Sequence, residues 1–517
     1  MTLIERIADP GFTPSIRELD ALITLLADDD HLDQAERALD RIADPAFSQL
    51  LTRAKDAAPP VRARLWRILG KLAPLRQDAC EALLGALLDS DPKTRRNAIL
   101  ALGHVQRSEV EDALLQAWER EDALPTRRSL AASLGKIGSA RSLTLLKTVL
   151  AEDPELTRIV QRAMLMLERT QVRATGSRIA MERAPSRPLP LVLYVRPGLE
   201  EILINELTEW SPQRLGPGRV GVELRAPLLS LFRARTFTHV GIPLGEQRVE
   251  QGDMVGALVD LLSSWQAKVA LETWTEGPVR YRVEWASGGH RRALVWALAE
   301  RVRESLGLIN DPVAPVWELV VYELQGWIRV DLVPRALQDP RFIYRVATVP
   351  AASHPTLAAA LVKVAGLDPN DVVWDPFLGA GGELVERGLA GPARALFGSD
   401  LDEAALAAAR RNLDAAGVQA HLLQRDALEM GPEEVTLIVT NPPMGRRVQR
   451  HAGLRALLER FVGHAGQSLA RGGQLVWISP FPERTRDRAM SAGLRLEQAS
   501  DIDMGGFVAE LQCFRKG

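Results

Sequence analysis

The tetrapeptide Asn441-Pro442-Pro443-Met444 contains the residues of this chain best suited to chemistry. The side-chain carbonyl of Asn441 and the backbone carbonyl of Pro442 can each accept one N–H of an amino group. Two such bonds turn the nitrogen lone pair out of conjugation and towards an electrophile such as a methyl sulfonium. The two prolines stiffen this pair of acceptors. The tetrapeptide therefore predicts methyl transfer to an amino nitrogen, and a plain turn after a strand is the alternative.

The elements before the tetrapeptide place it at a ligand-binding edge. An apolar run at 435–440 is typical of a buried parallel strand, and its carboxyl end delivers Asn441 to the edge where α/β sheets bind ligands. An earlier strand at 372–375 leads into a glycine-rich turn and a helix from Glu383. Gly379 and Gly381 let the backbone approach a cofactor, and the first N–H groups of the helix face it.

Acidic residues end the strands of the same region. Asp400 lies about 20 positions beyond the glycine turn, which suits hydrogen bonds to ribose hydroxyls. Asp426 closes a third strand and is suited to an adenine amino group, whereas Asp402 fits a helix cap as well as a ligand role. The predicted cofactor-binding residues are Asp375, Pro376, Phe377, Gly379, Ala380, Gly381, Asp400, Asp402 and Asp426.

The motifs follow one another as Asp-Pro-Phe-x-Gly-x-Gly, Gly-x-Asp-x-Asp, Asp-Ala and Asn-Pro-Pro. This order resembles the class I S-adenosyl-L-methionine-dependent methyltransferases that act on amino nitrogens, over about residues 350–517. Tyr344-Arg345, Pro350-Ala351-Ala352 and the run 355–361 resemble the linker of THUMP-containing RNA guanine-N2 methyltransferases. The resemblance implies S-adenosyl-L-methionine as cofactor, no metal, and catalysis by Asn441, Pro442, Pro443 and Met444. The implied substrate is the N2 amine of a guanosine in tRNA, with rRNA second.

Two positions depart from the family pattern. Met444 stands where the family has an aromatic residue that stacks on the target base, and Gly382 stands where a threonine is common. A thioether can lie against a base, but it lacks the π surface that is worth about 1–3 kcal/mol per base. Two alternatives therefore stay open. One is methylation of adenine N6 or a protein glutamine, and the other is a catalytically weak RNA-binding or scaffold protein.

Residues 189–340 resemble an RNA-binding region. The strand, Pro-Gly turn and helix at 191–207 are similar to the opening of a ferredoxin-like domain. A strand at 279–285, a helix at 291–306 and a hairpin at 317–332 suit a THUMP domain, a module that binds RNA, and a purely structural α/β domain is the alternative. A local basic group suits either phosphate contact or a solvated face, and its members are Arg280, Arg282, His290, Arg291 and Arg292.

The first 168 residues repeat a helical unit. Pro60, Pro92 and Pro125 precede helices that end near glycines at positions 70, 103 and 135, which are 33 and 32 residues apart. Each predicted helix has arginines in its first turn, and units at 33–42 and 155–167 suit the two ends of an array. Such self-similarity is the signature of a helical-hairpin solenoid and resembles HEAT-like repeats. The repeats suit a protein partner or an additional RNA contact, and a rigid spacer is the alternative.

Residues 169–188 are predicted to be a basic, proline-containing linker that follows a nucleic-acid backbone or serves solubility. A chain of 517 residues has room for several domains, and its formal net charge of −2 leaves RNA binding to local patches. Two cysteines exclude a disulfide framework and a cysteine-rich zinc site, and the eight histidines lack metal-ligand spacing. The chain lacks an apolar signal core and a long apolar run, so we expect a cytoplasmic protein without membrane contact.

The expected fold class is multidomain α and α/β. The predicted parts are a HEAT-like solenoid at 1–168, the linker at 169–188, a ferredoxin-like and THUMP region at 189–340, and a Rossmann-like methyltransferase domain at 341–517.

Overall fold

The computed structural model describes residues 2–9, 11–149, 153–289, 291–350, 352–444 and 451–517. The chain forms two compact units, Met1–Gly176 and Ser177–Gly517. His290 of the basic group and Ala351 of the predicted interdomain segment lie outside the described residues. Among the described helices, none is both long enough and apolar enough to cross a membrane.

The predicted helical N-terminal region is confirmed. In the first unit, the described residues form helices and no strand. The helices are α1 (Leu3–Ile7), α2 (Leu19–Leu25), α3 (Leu32–Ile42), α4 (Phe47–Asp56), α5 (Pro59–Gly70), α6 (Gln77–Ala86), α7 (Pro92–Leu102), α8 (Ser108–Arg120), α9 (Leu124–Ile137), α10 (Ala140–Lys147) and α11 (Pro154–Thr175). The repeat helices α5, α7 and α9 each have proline in the first turn, where its missing N–H costs no hydrogen bond.

The recurring glycines mark places where successive helices touch. A Cβ atom on Gly70 would lie 2.4 Å from the Cβ of Ala101 in α7, and one on Gly103 would lie 2.6 Å from Ser133 Oγ in α9. Gly135 packs in the same way against α11. Since larger residues would force the helices apart, the interval between the glycines follows from stacking one helical unit on the next.

First-turn arginines at the same interval form ion pairs between neighbouring parts of the array. The pairs are Arg62–Asp89 at 3.0 Å, Arg95–Glu121 at 2.8 Å and Arg128–Asp153 at 2.8 Å. Each carboxylate lies just before the next repeat helix in the chain. These arginines therefore contribute to the repeat itself, because their charges are paired within it.

The stretch 169–188, predicted to be a linker, is partly regular structure. Helix α11 continues to Thr175, and strand β1 (Arg178–Ile179) pairs with strand β6 (Thr275–Glu276). The guanidinium carbon of Arg187 lies 3.7 Å from the centroid of the Trp265 ring, a cation–π contact. The Arg187 side chain of this stretch therefore contacts another part of the protein.

The second unit begins with an eight-stranded sheet of mixed direction. Its elements are β2 (Leu189–Val195), α12 (Glu200–Glu206), β3 (Gln213–Gly216), β4 (Arg219–Leu224), β5 (Phe237–Arg248), α13 (Met254–Leu262), α14 (Trp265–Trp274), β7 (Arg280–Trp285), α15 (Arg292–Leu306), β8 (Ile309–Asn310), β9 (Trp317–Leu324) and β10 (Trp327–Pro334). The strand order is β3-β4-β2-β5-β10-β9-β7-β8. The predicted strand, helix and hairpin at 279–332 correspond to β7, α15 and β9–β10.

A seven-stranded sheet completes the second unit. Its elements are α16 (Pro355–Ala365), β11 (Val372–Asp375), α17 (Gly382–Ala390), β12 (Ala395–Asp400), α18 (Glu403–Ala416), β13 (His421–Gln424), β14 (Val435–Thr440), α19 (His451–Ser468), β15 (Leu469–Ser479), α20 (Pro482–Ser491), β16 (Leu494–Asp503) and β17 (Val508–Lys516). The order is β13-β12-β11-β14-β15-β17-β16, with β17 antiparallel to its neighbours. Parallel pairing brings the carboxyl ends of β11, β12, β13 and β14 to one edge.

A buried polar network joins the two parts of the second unit. Arg235, which precedes β5, donates Nε to Glu386 Oε2 at 2.6 Å and Nη2 to Oε1 at 2.9 Å. Tyr344 Oη donates to the same Glu386 Oε1 at 2.6 Å, and Arg235 Nη2 also donates to the carbonyl of Arg341. Glu386 lies in α17 and is only 2% exposed. The carboxylate therefore ties α17, a helix of the seven-stranded part, to the residue that precedes β5 of the eight-stranded sheet.

Candidate active site

A cavity of about 710 Å³ opens at the carboxyl edge of β11, β12, β13 and β14. The predicted site residues that line it are Pro376, Phe377, Gly379, Asp400, Asp402, Asp426, Asn441, Pro442, Pro443 and Met444. A small neighbouring cavity of about 50 Å³ shares Asn441 and Gly379 with it and is also lined by Ala380. Asp375 and Gly381 line neither cavity and lie in the structure around them. The fold thus gathers most of the predicted site residues at one place.

The glycine-rich turn is held in a conformation that favours glycine. Gly379 has a φ angle of +51° and Gly381 of +80°, in the left-handed region. The N–H of Gly379 donates to Asp400 Oδ2 at 2.9 Å, while Asp400 Oδ1 accepts from the N–H of Asp402 at 3.0 Å. The end of β12 therefore fixes the turn that follows β11.

The two remaining strand-end acids each accept a local backbone bond. Asp402 Oδ1 accepts from the N–H of Ala404 at 2.9 Å and caps α18. A helix cap was one of the two roles that the sequence suggested for Asp402. Asp426 Oδ1 accepts from the N–H of Leu428 at 2.9 Å. Both acids also line the larger cavity, so capping and ligand binding are compatible at these positions.

Asp375 is a buried carboxylate with an unused oxygen. Its Oδ1 accepts from Thr440 Oγ1 at 2.6 Å and from the N–H of Phe377 at 3.2 Å. Its Oδ2 is buried and has no hydrogen-bond partner among the described residues. Burial, and after it the nearby Glu383, raises the pKa of Asp375 well above its ordinary value. A hydrogen-bond donor that reached Oδ2 would satisfy this buried acceptor and offset the cost of its charge.

The Asn441 amide is held by its nitrogen. Nδ2 donates to Ser353 Oγ at 2.7 Å, and Ser353 Oγ donates to Glu383 Oε1 at 2.6 Å. The Asn441 Oδ1 is buried and has no partner among the described residues. The side-chain carbonyl that the proposed chemistry requires is therefore an unsatisfied acceptor on a residue that lines the cavity.

Comparison with known proteins agrees with this geometry. Residues 343–507 match the model of the RMKL-like methyltransferase domain family, and residues 81–166 match HEAT repeats. A tRNA (guanine(6)-N2)-methyltransferase of Thermus thermophilus is 29% identical over 340 residues, which are 60% of this chain and 94% of that protein. A probable tRNA (guanine(10)-N2)-dimethyltransferase of Methanothermococcus thermolithotrophicus is 30% identical over 133 residues, 24% of this chain and 78% of that protein.

The crystal structure of TrmN from Thermus thermophilus superposes with a TM-score of 0.53 at 25% identity, covering 64% of this chain and 100% of that one. This chain belongs to the RMKL-like methyltransferase family. The predicted methyltransferase domain and its cofactor, S-adenosyl-L-methionine, are thereby confirmed.

The acidic residues at the carboxyl ends of the strands suit that cofactor. S-Adenosyl-L-methionine has an α-ammonium group and supplies an electrophilic methyl group when it is bound. Asp400 and Asp426 line the cavity at the ends of neighbouring strands, whereas Asp375, whose Oδ2 has no partner among the described residues, lies beside them without lining either cavity. In the glycine turn, Gly379 leaves room for a ligand against the backbone, whereas Gly381 packs against Ala409 of α18. We therefore assign cofactor contact to these residues as a prediction.

The cavity also contains residues that sequence reasoning missed. Met504 and Phe507 come from the turn between β16 and β17, and Arg196 comes from the end of β2. Arg196 Nη1 donates to the carbonyl of Asp503 at 2.6 Å, which holds the turn at the cavity mouth. The two glycines between Met504 and Phe507 indicate a tight turn in the sequence. The place of that turn at the cavity depends on how β16 and β17 pair within the sheet, which the sequence does not show.

Most of the described basic group is paired. Arg280 is buried and lies 3.6 Å from Asp311 Oδ2, and Arg282 Nε donates to Glu318 at 2.6 Å. Arg291 forms an ion pair with Glu323. Neighbouring carboxylates thus offset these charges, which weakens their interpretation as a phosphate-binding patch.

Proposed function

We propose that this methyltransferase modifies the N2 amine of a guanosine in tRNA, with rRNA as the second candidate. The observation that carries the proposal is the Asn441 amide, which is held through its nitrogen and has a buried carbonyl oxygen without a described partner. The names of the relatives from Thermus thermophilus and Methanothermococcus thermolithotrophicus support tRNA and guanine N2.

In the proposed reaction, Asn441 Oδ1 and the Pro442 carbonyl accept the two N–H groups of the target amine. The amine nitrogen then attacks the methyl carbon directly, the bond from that carbon to sulfur breaks, and one amine proton leaves. No covalent enzyme intermediate is required. A guanine within a duplex would first have to leave the base stack, and Met444 and Phe507 offer apolar surface for it in the cavity.

The rest of the chain is proposed to bring RNA to this cavity. The region 189–340 is proposed to contain a ferredoxin-like and a THUMP domain, supported by the order β7, α15, β9 and β10. The contact between Arg196 and Asp503 places this region beside the cavity mouth. The repeats of residues 1–168 are proposed to bind a protein partner or further RNA. The reaction would take place in the cytoplasm.

The proposal is tested by transfer of labelled methyl to small RNA from cells that lack this gene, followed by nucleoside identification. We expect N2-methylguanosine with the wild-type chain and none with Asn441→Ala, while S-adenosyl-L-homocysteine binds both about equally. Asn370→Ala is a matched control, because that exposed side chain donates to the nearby Asp368 and to no other described residue. Methylated adenine would favour the alternative substrate, and no transfer despite cofactor binding would refute tRNA as the substrate.

A further inference from the structure

Ser353 stands between the proposed amine acceptor and a buried acid. It precedes α16, whereas Asn441 follows β14 and lies 88 residues further along the chain. Glu383, in the first turn of α17, lies 30 residues from Ser353. The three side chains line one small cavity beside the larger one. Three separate elements of the fold therefore meet at the amide.

The direction of the hydrogen bonds decides how the amide is turned. A serine hydroxyl has one proton, and a carboxylate oxygen accepts it. When Ser353 donates to Glu383, its oxygen is left as an acceptor, and the group of Asn441 that can donate to it is the amide nitrogen. The opposite amide orientation would need the same serine proton twice. The carboxylate thus selects the orientation in which Oδ1 is free.

The surroundings of Glu383 act on its charge in opposite directions. Glu383 is 3% exposed, and its position in the first turn of α17 puts it near N–H groups and the positive end of the helix dipole. Burial raises the pKa of Glu383, while the bond from Ser353 acts in the opposite direction. A neutral acceptor of the same shape at position 383 would also receive the serine proton.

We propose that Ser353 and Glu383 are positioning residues that orient the Asn441 amide for amine methylation. The inference rests on the proposed function, because the amide matters for catalysis only if it receives the target amine. Ser353→Ala removes the acceptor of Nδ2 and lets the amide turn. Because one hydrogen bond is lost, we expect kcat to fall about 10-fold, with KM for RNA and the Kd of S-adenosyl-L-homocysteine unchanged.

Two substitutions at position 383 separate the hydrogen bond from the charge. Glu383→Gln and Glu383→Leu both remove the charge, but only Gln keeps a carbonyl acceptor for Ser353. We expect Glu383→Leu to lower kcat about 10-fold and Glu383→Gln to restore most of that loss. Ser353→Ala/Glu383→Leu should be no slower than Ser353→Ala alone, because both act on the same amide. Ser287→Ala is the matched control, since Ser287 also donates to a glutamate, at 3.5 Å, but outside the cavities.

A second readout does not depend on activity. The side-chain amide resonance of Asn441, assigned by its loss in Asn441→Ala, should shift or broaden in Ser353→Ala and Glu383→Leu but not in Glu383→Gln. Unchanged kcat and an unchanged resonance in Ser353→Ala would overturn the inference while leaving the proposed function intact. If the wild-type chain transfers no methyl to RNA, the proposed function fails, and the resonances alone decide whether Ser353 and Glu383 orient the amide.

Discussion

Replacing Arg235 by methionine is predicted to destabilise the second unit through the buried Glu386 carboxylate. The change removes two hydrogen bonds to Glu386, of 2.6 and 2.9 Å, and a third to the Arg341 carbonyl, and it leaves Glu386 with Tyr344 as its described side-chain partner. Breaking a buried ion pair costs about 3–5 kcal/mol. The Arg235 side chain is 23% exposed, so we expect the lower end, about 3 kcal/mol.

The assay is urea unfolding of the full chain, followed by tryptophan fluorescence. Arg235→Met/Glu386→Met should recover part of the loss, because it removes the stranded charge. It leaves the buried Tyr344 hydroxyl without its acceptor, at a cost of about 1–3 kcal/mol. Adding Tyr344→Phe should therefore recover most of the remaining loss, except for the hydrogen bond from Arg235 to the Arg341 carbonyl, worth about 1 kcal/mol.

Arg225→Met is the matched control, because Arg225 and Glu223 form an exposed pair 3.4 Å apart. We expect it to change the free energy of unfolding by less than about 1 kcal/mol. A loss below about 1 kcal/mol for Arg235→Met would refute the reasoning. So would a double variant as unstable as the sum of its single changes, because the residues would then be uncoupled.

Two further predictions concern the cofactor site and the repeats. Burial and Glu383 raise the pKa of Asp375, so binding of a cationic ligand should release protons and the affinity for S-adenosyl-L-methionine should rise with pH through that raised pKa. The contribution of Asp375 to the free energy of unfolding of the ligand-free chain should change in the opposite direction. It is greatest below the pKa of Asp375 in the unfolded chain and is lost as the pH rises through the raised pKa of the folded chain. Asp375→Asn should remove the contribution of Asp375 to the pH dependence of both cofactor affinity and stability. It should also weaken cofactor binding about 10- to 100-fold, as measured by calorimetry. Unchanged affinity and unchanged pH dependence would contradict the assignment of Asp375 to the cofactor site. In the repeats, Gly135→Ala should cost about 1–3 kcal/mol in urea unfolding, because its Cβ would lie 2.6 Å from the Ala163 Cα. A Cβ on Gly85 would have no described atom within 4 Å, so Gly85→Ala should stabilise the protein by about 0.5–1 kcal/mol. Equal effects of the two substitutions would argue against the packing explanation.

The local patterns of this chain could be interpreted without its structure. The prolines and glycines that recur about every 33 residues predicted α5, α7 and α9, because helix starts and close helix contacts depend on residue type at fixed positions. The apolar runs that end in Asp375, Asp400 and Asn441 predicted strand ends at one edge, because parallel strands share that edge. The local sequence therefore determined the helical array, the strands of the catalytic sheet and most of the residues around the cavity.

The tertiary structure alone decided which polar groups meet. Asn441 reaches Ser353 across 88 residues, and Arg235 reaches Glu386 across 151, and neither pairing has a local signal. In the sequence, the arginines of the basic group could contact phosphate. In the structure, carboxylates from neighbouring segments pair with most of the described arginines of this group. Residue spacing determines helices and strands because their hydrogen bonds are local or periodic. Strand order and register determine the buried pairs, because they bring together side chains that are far apart in the chain.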